Sequence, residues 1–290
     1  MTRFDIKRAA FGENRVWSLE DRICLKGLKP GRVDRCKACR ARHAGVCAGV
    51  PTETLNELAA IVANVDLFPG QTLFEEGQPA GHVFIVTAGA MKVFKPMADG
   101  RRQITGFLHE GDFLGLADDT RYAYSAEALT PASLCRFPRD RLAELFDRYP
   151  EVERRMCLTV SNELVEAQDQ LLLLGRKTAT ERVASFLRRL LRYADHALEE
   201  SKTADPRVRA RRAARNADVL TLEMTRGDIA DFVGLTHETV SRAFSRLKRE
   251  GVIELLPHNQ VQVLDRDRLA EVAGFFNASA DEDSRRRVAP

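Results

Sequence analysis

Three cysteines fall close together near the start of the chain: Cys36 and Cys39, separated by Lys37 and Ala38, and Cys47 after seven more residues. Thiolates at such spacing let one loop wrap a metal centre. Three are one short of the four that a tetrahedral zinc site or a cubane iron–sulfur cluster takes, and Cys24 and Cys135 are the candidates for the fourth. From the residues alone, zinc and an iron–sulfur cluster are both open, and a redox dithiol is a third reading. Lys37, Arg40, Arg42 and His43 would offset thiolate charge around either metal centre. The sixth cysteine, Cys157, lies on an apolar helical stripe and reads as a small buried hydrophobe.

A second set of residues has the chemistry of base and phosphate contacts. Within residues 225–250, Ile229, Val233, Leu235, Val240 and Ala243 are apolar where two short helices must pack. Ala230 is small where they cross, and Gly234 stands at the turn between them, where a positive φ has no steric cost. This is a helix-turn-helix pattern, with its first helix over residues 226–233 and its second starting near Thr236. On the second helix Glu238, Ser241, Arg242 and Ser245 share one face, while Val240, Phe244 and Leu247 point to the other side. Arg242 suits a bidentate bond to guanine O6 and N7, Glu238 can accept from a cytosine amino group, and Ser241 can bond a base or a phosphate. His237 and Thr239, in the first turn, complete the set expected to face DNA; no second histidine stands at ligand spacing from His237, so no metal is expected there. Two short strands, 252–255 and 261–264, joined through Pro257-His258-Asn259, make a wing. A generic helix pair with a glycine turn shares the core pattern; the wing and the polar face argue for DNA.

These residues need elements to hold them. Residues 52–62 are expected to be helical, with Thr52 as cap and Leu55, Leu58, Ala59 and Val62 at helical spacing. From about residue 66 to 138, short apolar runs (71–74, 83–87, 90–94 and 103–108) alternate with glycines, the texture of an antiparallel barrel or sandwich. After Pro138 the pattern turns helical: a short helix over 139–146, then a long one over 151–174. On the long helix Cys157, Val160, Leu164, Ala167, Leu171 and Leu174 recur with gaps of three and four, the heptad stripe that pairs two helices. The alternative is a helix packed only on its own domain. A further helix over 180–192 precedes a polar stretch, 199–218, in which Arg207, Arg209, Arg211, Arg212 and Arg215 form a basic run, read as a solvated linker in loose contact with phosphate. Residues 278–290 have the composition of a disordered tail.

Composition sets the limits. The 290 residues are 44% hydrophobic and 30% charged, enough for about two domains with cores of their own. The net charge is only +3, from 45 basic and 42 acidic residues, so any nucleic-acid surface must be local. There is no apolar run of ~18 residues, and residues 1–20 lack the apolar core of a secretion signal, so a cytoplasmic chain without a membrane span is expected. In that compartment structural disulfides are rare, which leaves metal binding or burial for the cysteines. Paired catalytic carboxylates, a nucleophile elbow and a phosphate loop are all missing, so no enzyme is expected.

Taken together, the segments resemble the FNR branch of the CRP/FNR transcription regulators, over about residues 34–269. The resemblance is carried by Pro69-Gly-Gln-Thr-Leu-Phe-Glu-Glu-Gly, Gln103-Ile-Thr-Gly-Phe, Gly111-Asp-Phe-Leu-Gly, Leu171-Leu-Leu-Leu, Glu181-Arg, Thr225-Arg-Gly-Asp-Ile and Glu238-Thr-Val-Ser-Arg. The CxxC-x7-C spacing is similar to the FnrN/FnrL/FixK-type members of alphaproteobacteria. The resemblance implies an α+β architecture: a cysteine-rich arm (1–50), an antiparallel β-roll of the cupin-like jelly-roll kind (51–149), a dimerisation helix (150–177), a winged helix-turn-helix (178–275) and a tail (276–290). It implies a [4Fe–4S] cluster on Cys36, Cys39, Cys47 and Cys135, the last in Leu-Cys135-Arg-Phe-Pro, with Cys24 outside the set. It also implies a homodimer that binds a palindrome resembling TTGAT-N4-ATCAA, contacts RNA polymerase and responds to oxygen. A cyclic-nucleotide branch would carry an Arg-Gly-Glu run and an Arg-Ser/Thr pair; Gly111-Asp112 and Tyr124-Ser125 stand instead, so no cyclic nucleotide is expected. Two departures from the pattern are the 199–218 stretch, which looks like an insertion, and the uncharged Ala167 in the seam.

Overall fold

The computed structural model describes residues 36, 39, 41, 47, 50–118, 120–201 and 218–274. Cys24, the basic run 207–215, most of the 199–218 stretch and the 278–290 tail lie outside these residues.

Helix α1 (Thr52–Ile61) opens the described core. Its N-cap is Pro51 and no side chain caps it, so Thr52 is the first helical residue and not the cap expected from sequence. Ten strands follow: β1 (Ala63–Leu67), β2 (Thr72–Phe74), β3 (His82–Ala88), β4 (Met91–Pro96), β5 (Arg102–Leu108), β6 (Phe113–Leu114), β7 (Ala117–Asp118), β8 (Arg121–Tyr122), β9 (Ser125–Ala128) and β10 (Ala132–Pro138). They form two four-stranded antiparallel sheets, β1-β10-β3-β6 and β2-β9-β4-β5, with β7 and β8 as a separate pair. This is the β-roll. At the β3–β4 turn Gly89 has φ +81°, and a Cβ there would stand 2.2 Å from the Pro131 carbonyl oxygen, so only glycine fits.

Both faces of the first sheet are covered. Phe84, Val86 and Leu134 point into the roll with Phe74, Met91 and Leu114. The alternate residues Val83, Ile85 and Phe137 face outward, onto a second apolar cluster with Ala41, Leu58, Leu142, Leu145 and Val152. That outer cluster joins the arm, α1, helix α2 (Arg139–Arg148) and the foot of helix α3 (Pro150–Arg176).

Helix α3 is 27 residues long, about 40 Å at the usual rise per residue. Pro150 starts it, where the missing N–H costs nothing, and Glu151 and Glu153 suit the positive end of its dipole. Helix α4 (Ala179–Ser201) runs well beyond the expected end near residue 192 and reaches into the stretch read as irregular. The winged helix-turn-helix follows: β11 (Val219–Thr221), α5 (Arg226–Val233), α6 (His237–Arg249), β12 (Ile253–Leu256), β13 (Gln260–Val263) and α7 (Arg266–Val272). The wing is a three-stranded sheet in the order β11-β13-β12, one strand more than the sequence suggested. Its core also takes in Ile104 and Phe107 from β5, so the roll and the winged helix share one apolar cluster.

Candidate functional site

Local chemistry builds the helix-turn-helix. Thr225 caps α5 in a reciprocal capping box: its hydroxyl accepts from the Asp228 N–H, and the Asp228 carboxylate accepts from the Thr225 N–H. Gly234 ends α5 in the left-handed region at φ 63°, and Thr236 caps α6 by accepting from the Thr239 N–H. Val240, Ala243, Phe244 and Leu247 are buried, and Glu238, Arg242 and Ser245 are exposed on the opposite side, with Ser241 half-buried between them. Arg242 Nη2 lies 3.5 Å from Glu238 Oε1, a surface pair one helical turn apart that holds both side chains over the exposed face. The Ser241 and Ser245 hydroxyls donate to carbonyl oxygens one turn back, those of His237 and Ser241. The Thr239 hydroxyl lies 2.9 Å from that of Thr236 and so belongs to the cap, while His237 is exposed at the first turn. At the wing tip His258 and Asn259 both have positive φ, 58° and 55°, the backbone of a tight hairpin.

The four cysteines of the expected metal set come to one flank of the roll. Cys135 sits in the middle of β10, paired in register with Asn64 on one side and Ile85 on the other. Cys39, Cys47 and Cys135 all pack against the outer apolar cluster, and Cys36, Cys39, Cys47 and Cys135 are each half-buried. Burial, and then the neighbouring Cys39, Cys47 and Cys36, push the Cys135 thiol well above the ordinary thiol range. The Cys39 N–H donates to the Cys36 carbonyl and the Val50 N–H to that of Cys47, each at 3.4 Å. Among the described residues no three His, Cys, Asp or Glu side chains form a group that could hold a metal ion.

Of the expected dimer seam, Cys157, Val160, Leu164, Ala167 and Leu171 are exposed along α3. Leu164 is 61% exposed and Leu171 71%, and Leu158, Val165 and Leu172 add a second apolar row beside them. An open apolar face of this length marks an association surface. Cys157 is therefore exposed in the single chain and not the buried hydrophobe expected. Leu174 differs from the rest of the seam: it packs against the winged-helix core. The opposite face of α3 carries Glu163, Glu166 and Gln170, half-buried against the same chain. Burial, with Asp112 and Glu166 nearby, raises the Glu163 carboxyl to about 7, and burial raises Asp112 to about 6. No sequence signal singled out this acidic patch, because its members are 51 residues apart in the chain (163 less 112).

Several aromatic side chains pack together inside the roll. Tyr122 stacks on Phe74 at 3.9 Å between ring centres, with Phe84 and Tyr124 packed around them. The Tyr122 hydroxyl donates to the His82 carbonyl, and the Tyr124 hydroxyl accepts from the Gly115 N–H at 2.9 Å. Among the described residues no helix is long and apolar enough to cross a membrane.

A β-roll joined by a long helix to a winged helix-turn-helix defines a DNA-binding transcription regulator. Residues 65–149 match the cyclic nucleotide-binding domain model, and residues 181–272 match that of the Crp-like helix-turn-helix domain. The chain is 36% identical over 240 residues to the transcriptional activatory protein AadR of Rhodopseudomonas palustris, covering 82% of this chain and 93% of that one. It is 37% identical over 245 residues to the transcriptional activator protein FnrL of Cereibacter sphaeroides, covering 84% and 94%. The solved structure of FixK2 from Bradyrhizobium japonicum superposes with a TM-score of 0.63 at 32% identity, covering 73% of this chain and 97% of that one. The chain belongs to the CRP/FNR family, in its FNR-like branch. Its members are regulators and not enzymes.

Proposed function

We propose that this chain is an oxygen-responsive transcription activator that works in the cytoplasm as a homodimer, with Cys36, Cys39, Cys47 and Cys135 holding a [4Fe–4S] cluster. One observation carries the reading: the cysteine flank and the foot of α3 belong to the same apolar cluster, through Cys39, Cys47, Cys135 and Val152. The four thiols are not gathered tightly enough to hold a single metal ion, and the group they would close around is a larger one. Cys39, Cys47 and Cys135 pack on one cluster, Cys36 lies near enough to act on the Cys135 thiol, and a cubane gives each thiolate its own iron, so the sulfurs need not converge on one point as at a single zinc ion. When bound, the cluster supplies an oxygen-labile link between the arm and the sheet.

The chain's own residues turn that link into a signal. Cys135 is the rigid anchor, because β10 is hydrogen-bonded on both sides. With its partners held, the arm stays in the apolar cluster that also contains Ile85, Phe137 and, at the foot of α3, Val152. The open apolar face from Val160 to Leu171 then pairs with that of a second copy. A ligand that favours the dimer-competent arrangement shifts the population toward it, and its loss shifts the population back. The paired recognition helices read a palindrome resembling TTGAT-N4-ATCAA through Glu238, Ser241 and Arg242, with His237, Thr239 and Ser245 beside them, and the bound dimer contacts RNA polymerase. Relatives named as transcriptional activators support activation as the output. Gly111-Asp112 and Tyr124-Ser125, where a nucleotide-binding relative would carry its Arg-Gly-Glu run and Arg-Ser/Thr pair, support a regulator that takes no cyclic nucleotide.

The test is purification without oxygen, followed by iron and sulfide assays. The expected result is a brown protein with about four irons and about four sulfides per chain. Cys135→Ser is expected to lose them and Cys24→Ser to keep them. A colourless protein carrying zinc contradicts the proposal.

A further inference from the structure

The carbonyl end of α5 forms the turn of the helix-turn-helix, and its hydrogen-bond partners come from far away in the chain. The last carbonyls of a helix have no partner within it and must find one elsewhere. Here the Phe232 carbonyl accepts from Gln170 Nε2 of α3 at 2.7 Å and from Gln103 Nε2 of β5 at 3.0 Å. The Val233 and Gly234 carbonyls accept from one nitrogen of Arg182, Nη1, at 3.0 and 3.2 Å. The rest of that guanidinium turns the other way. Its Nη2 donates to the Leu174 carbonyl in the last turn of α3 at 2.8 Å, and its Nε donates to the Lys177 carbonyl at 2.9 Å. Arg182 thus ties together the negative ends of two helices, where a cation is favoured by both dipoles. Contact reinforces the tie: a Cβ on Gly234 would stand 2.9 Å from the Leu174 side chain.

These bonds span the short connection between α3 and α4, the place where the winged helix could swing on the end of the long helix. A palindrome is read only if two recognition helices are held about 34–36 Å apart, or a multiple of it, in a fixed orientation. We propose that Arg182, with Gln170, is a positioning residue that fixes the recognition helix relative to the long helix, and so sets the half-site spacing the dimer accepts. This rests on the two-half-site reading above. Gln103 brings β5 of the sensor roll to the same carbonyl, so the roll and the long helix meet at one atom of the turn.

The experiment measures fluorescence anisotropy of anaerobically purified full-length protein on duplexes. The half-sites TTGAT and ATCAA are separated by spacers around the four-base-pair one, and a further duplex carries a single half-site. Wild-type protein is expected to prefer one spacer by about tenfold or more, a difference of about 1.4 kcal/mol. Arg182→Lys keeps the charge but loses the fork, and Gln170→Met keeps the shape but loses the donor. Both are expected to flatten the spacer preference to within about threefold while binding the single half-site as wild type does. The half-site affinity also reports whether each variant is folded. Two outcomes overturn the proposal alone: both variants keep the wild-type spacer profile, or both lose palindrome and half-site affinity in equal proportion. A wild-type protein with no spacer preference overturns the two-half-site reading, and this proposal with it.

Discussion

Lys92 Nζ lies 2.9 Å from Asp228 Oδ1, and the two residues are only 5% and 3% exposed. One belongs to β4 of the roll and the other to the first helix of the helix-turn-helix. Glu127, at 2.9 Å from the same ammonium, and Arg102, at 2.9 Å from the same carboxylate, extend the pair into a network that also reaches Asp231. Burial opposes ionisation of Asp228, but the Thr225 hydroxyl and then Lys92 hold its carboxyl below the ordinary range. Breaking a buried pair by removing one partner costs about 3–5 kcal/mol, and with Arg102 still on Asp228 the loss in Lys92→Met should fall at the lower end. In a double-mutant cycle by urea unfolding, Lys92→Met/Asp228→Asn should lose less than the sum of the single variants. Additive losses would mean that the two side chains do not interact.

The acidic patch under α3 gives a pH dependence of fixed sign. Asp112 and Glu163 have folded-state values of about 6 and about 7, above their ordinary ones, so the folded chain holds protons that the unfolded chain releases. Arg189 pairs with Glu166 beside them, and the Tyr193 hydroxyl lies 3.3 Å from the same carboxylate. Stability therefore falls as pH rises from the ordinary carboxylate range through about 7 and is flat, as far as these groups go, above that. The melting temperature should be higher at pH 6 than at pH 8, and Glu163→Gln should raise it at pH 8 and shrink the difference. A Glu163→Gln variant with the wild-type pH profile would contradict this.

Arg242→Ala tests the recognition face. Loss of a base contact should weaken binding to the palindrome by about 1–3 kcal/mol and relax discrimination at one base pair of each half-site. Equal discrimination by the variant and the wild type, in competition against single-base substitutions, would assign Arg242 to phosphate contact alone.

Ala167 lies in the middle of the open stripe on α3, and a symmetric seam sets each residue against or near its own copy. An acidic residue there would face its mate in a place of low dielectric, where the repulsion is large beside the ~1.4 kcal/mol that changes an equilibrium tenfold. Native alanine removes that opposition. Analytical ultracentrifugation should show Ala167→Asp shifted toward monomer, and more dependent on the absence of oxygen than wild type. An unchanged equilibrium in both conditions would exclude this face as the seam.

How far the sequence reveals these features depends on the range of the interactions involved. The helix-turn-helix bounds follow from Thr225, Gly234 and Thr236, which act on their immediate neighbours, and the first helix falls where the pattern put it. The end of α4 does not, because a distant partner holds it: Asp195 pairs with Arg266 at 2.8 Å and Tyr193 packs under α3. Leu174 fits the heptad rhythm as well as Leu171 does, yet the end of α3 meets the winged helix, and that contact takes Leu174 out of the open stripe. The two-residue strands β6, β7 and β8 are too short to show any period. Cys24 and Cys135 are equal candidates for the fourth ligand by residue type, and only the resemblance selects Cys135, which stands 88 positions after Cys47 (135 less 47). Arg182 and Asp228 fall in short motifs, but the contacts they make with Val233 and Lys92 join residues 51 and 136 positions apart, and no local pattern reveals those.

The central claim is that oxygen acts on DNA binding through the four thiolates. The most direct measurement is the affinity of anaerobically purified full-length protein for the TTGAT-N4-ATCAA duplex, before and after exposure to air, with iron content followed in the same samples. Tight binding is expected without oxygen, with a loss of at least about tenfold after air, in step with the loss of iron. Cys135→Ser should bind weakly in both conditions. Equal affinity before and after air, in protein that has lost its iron, would contradict the account.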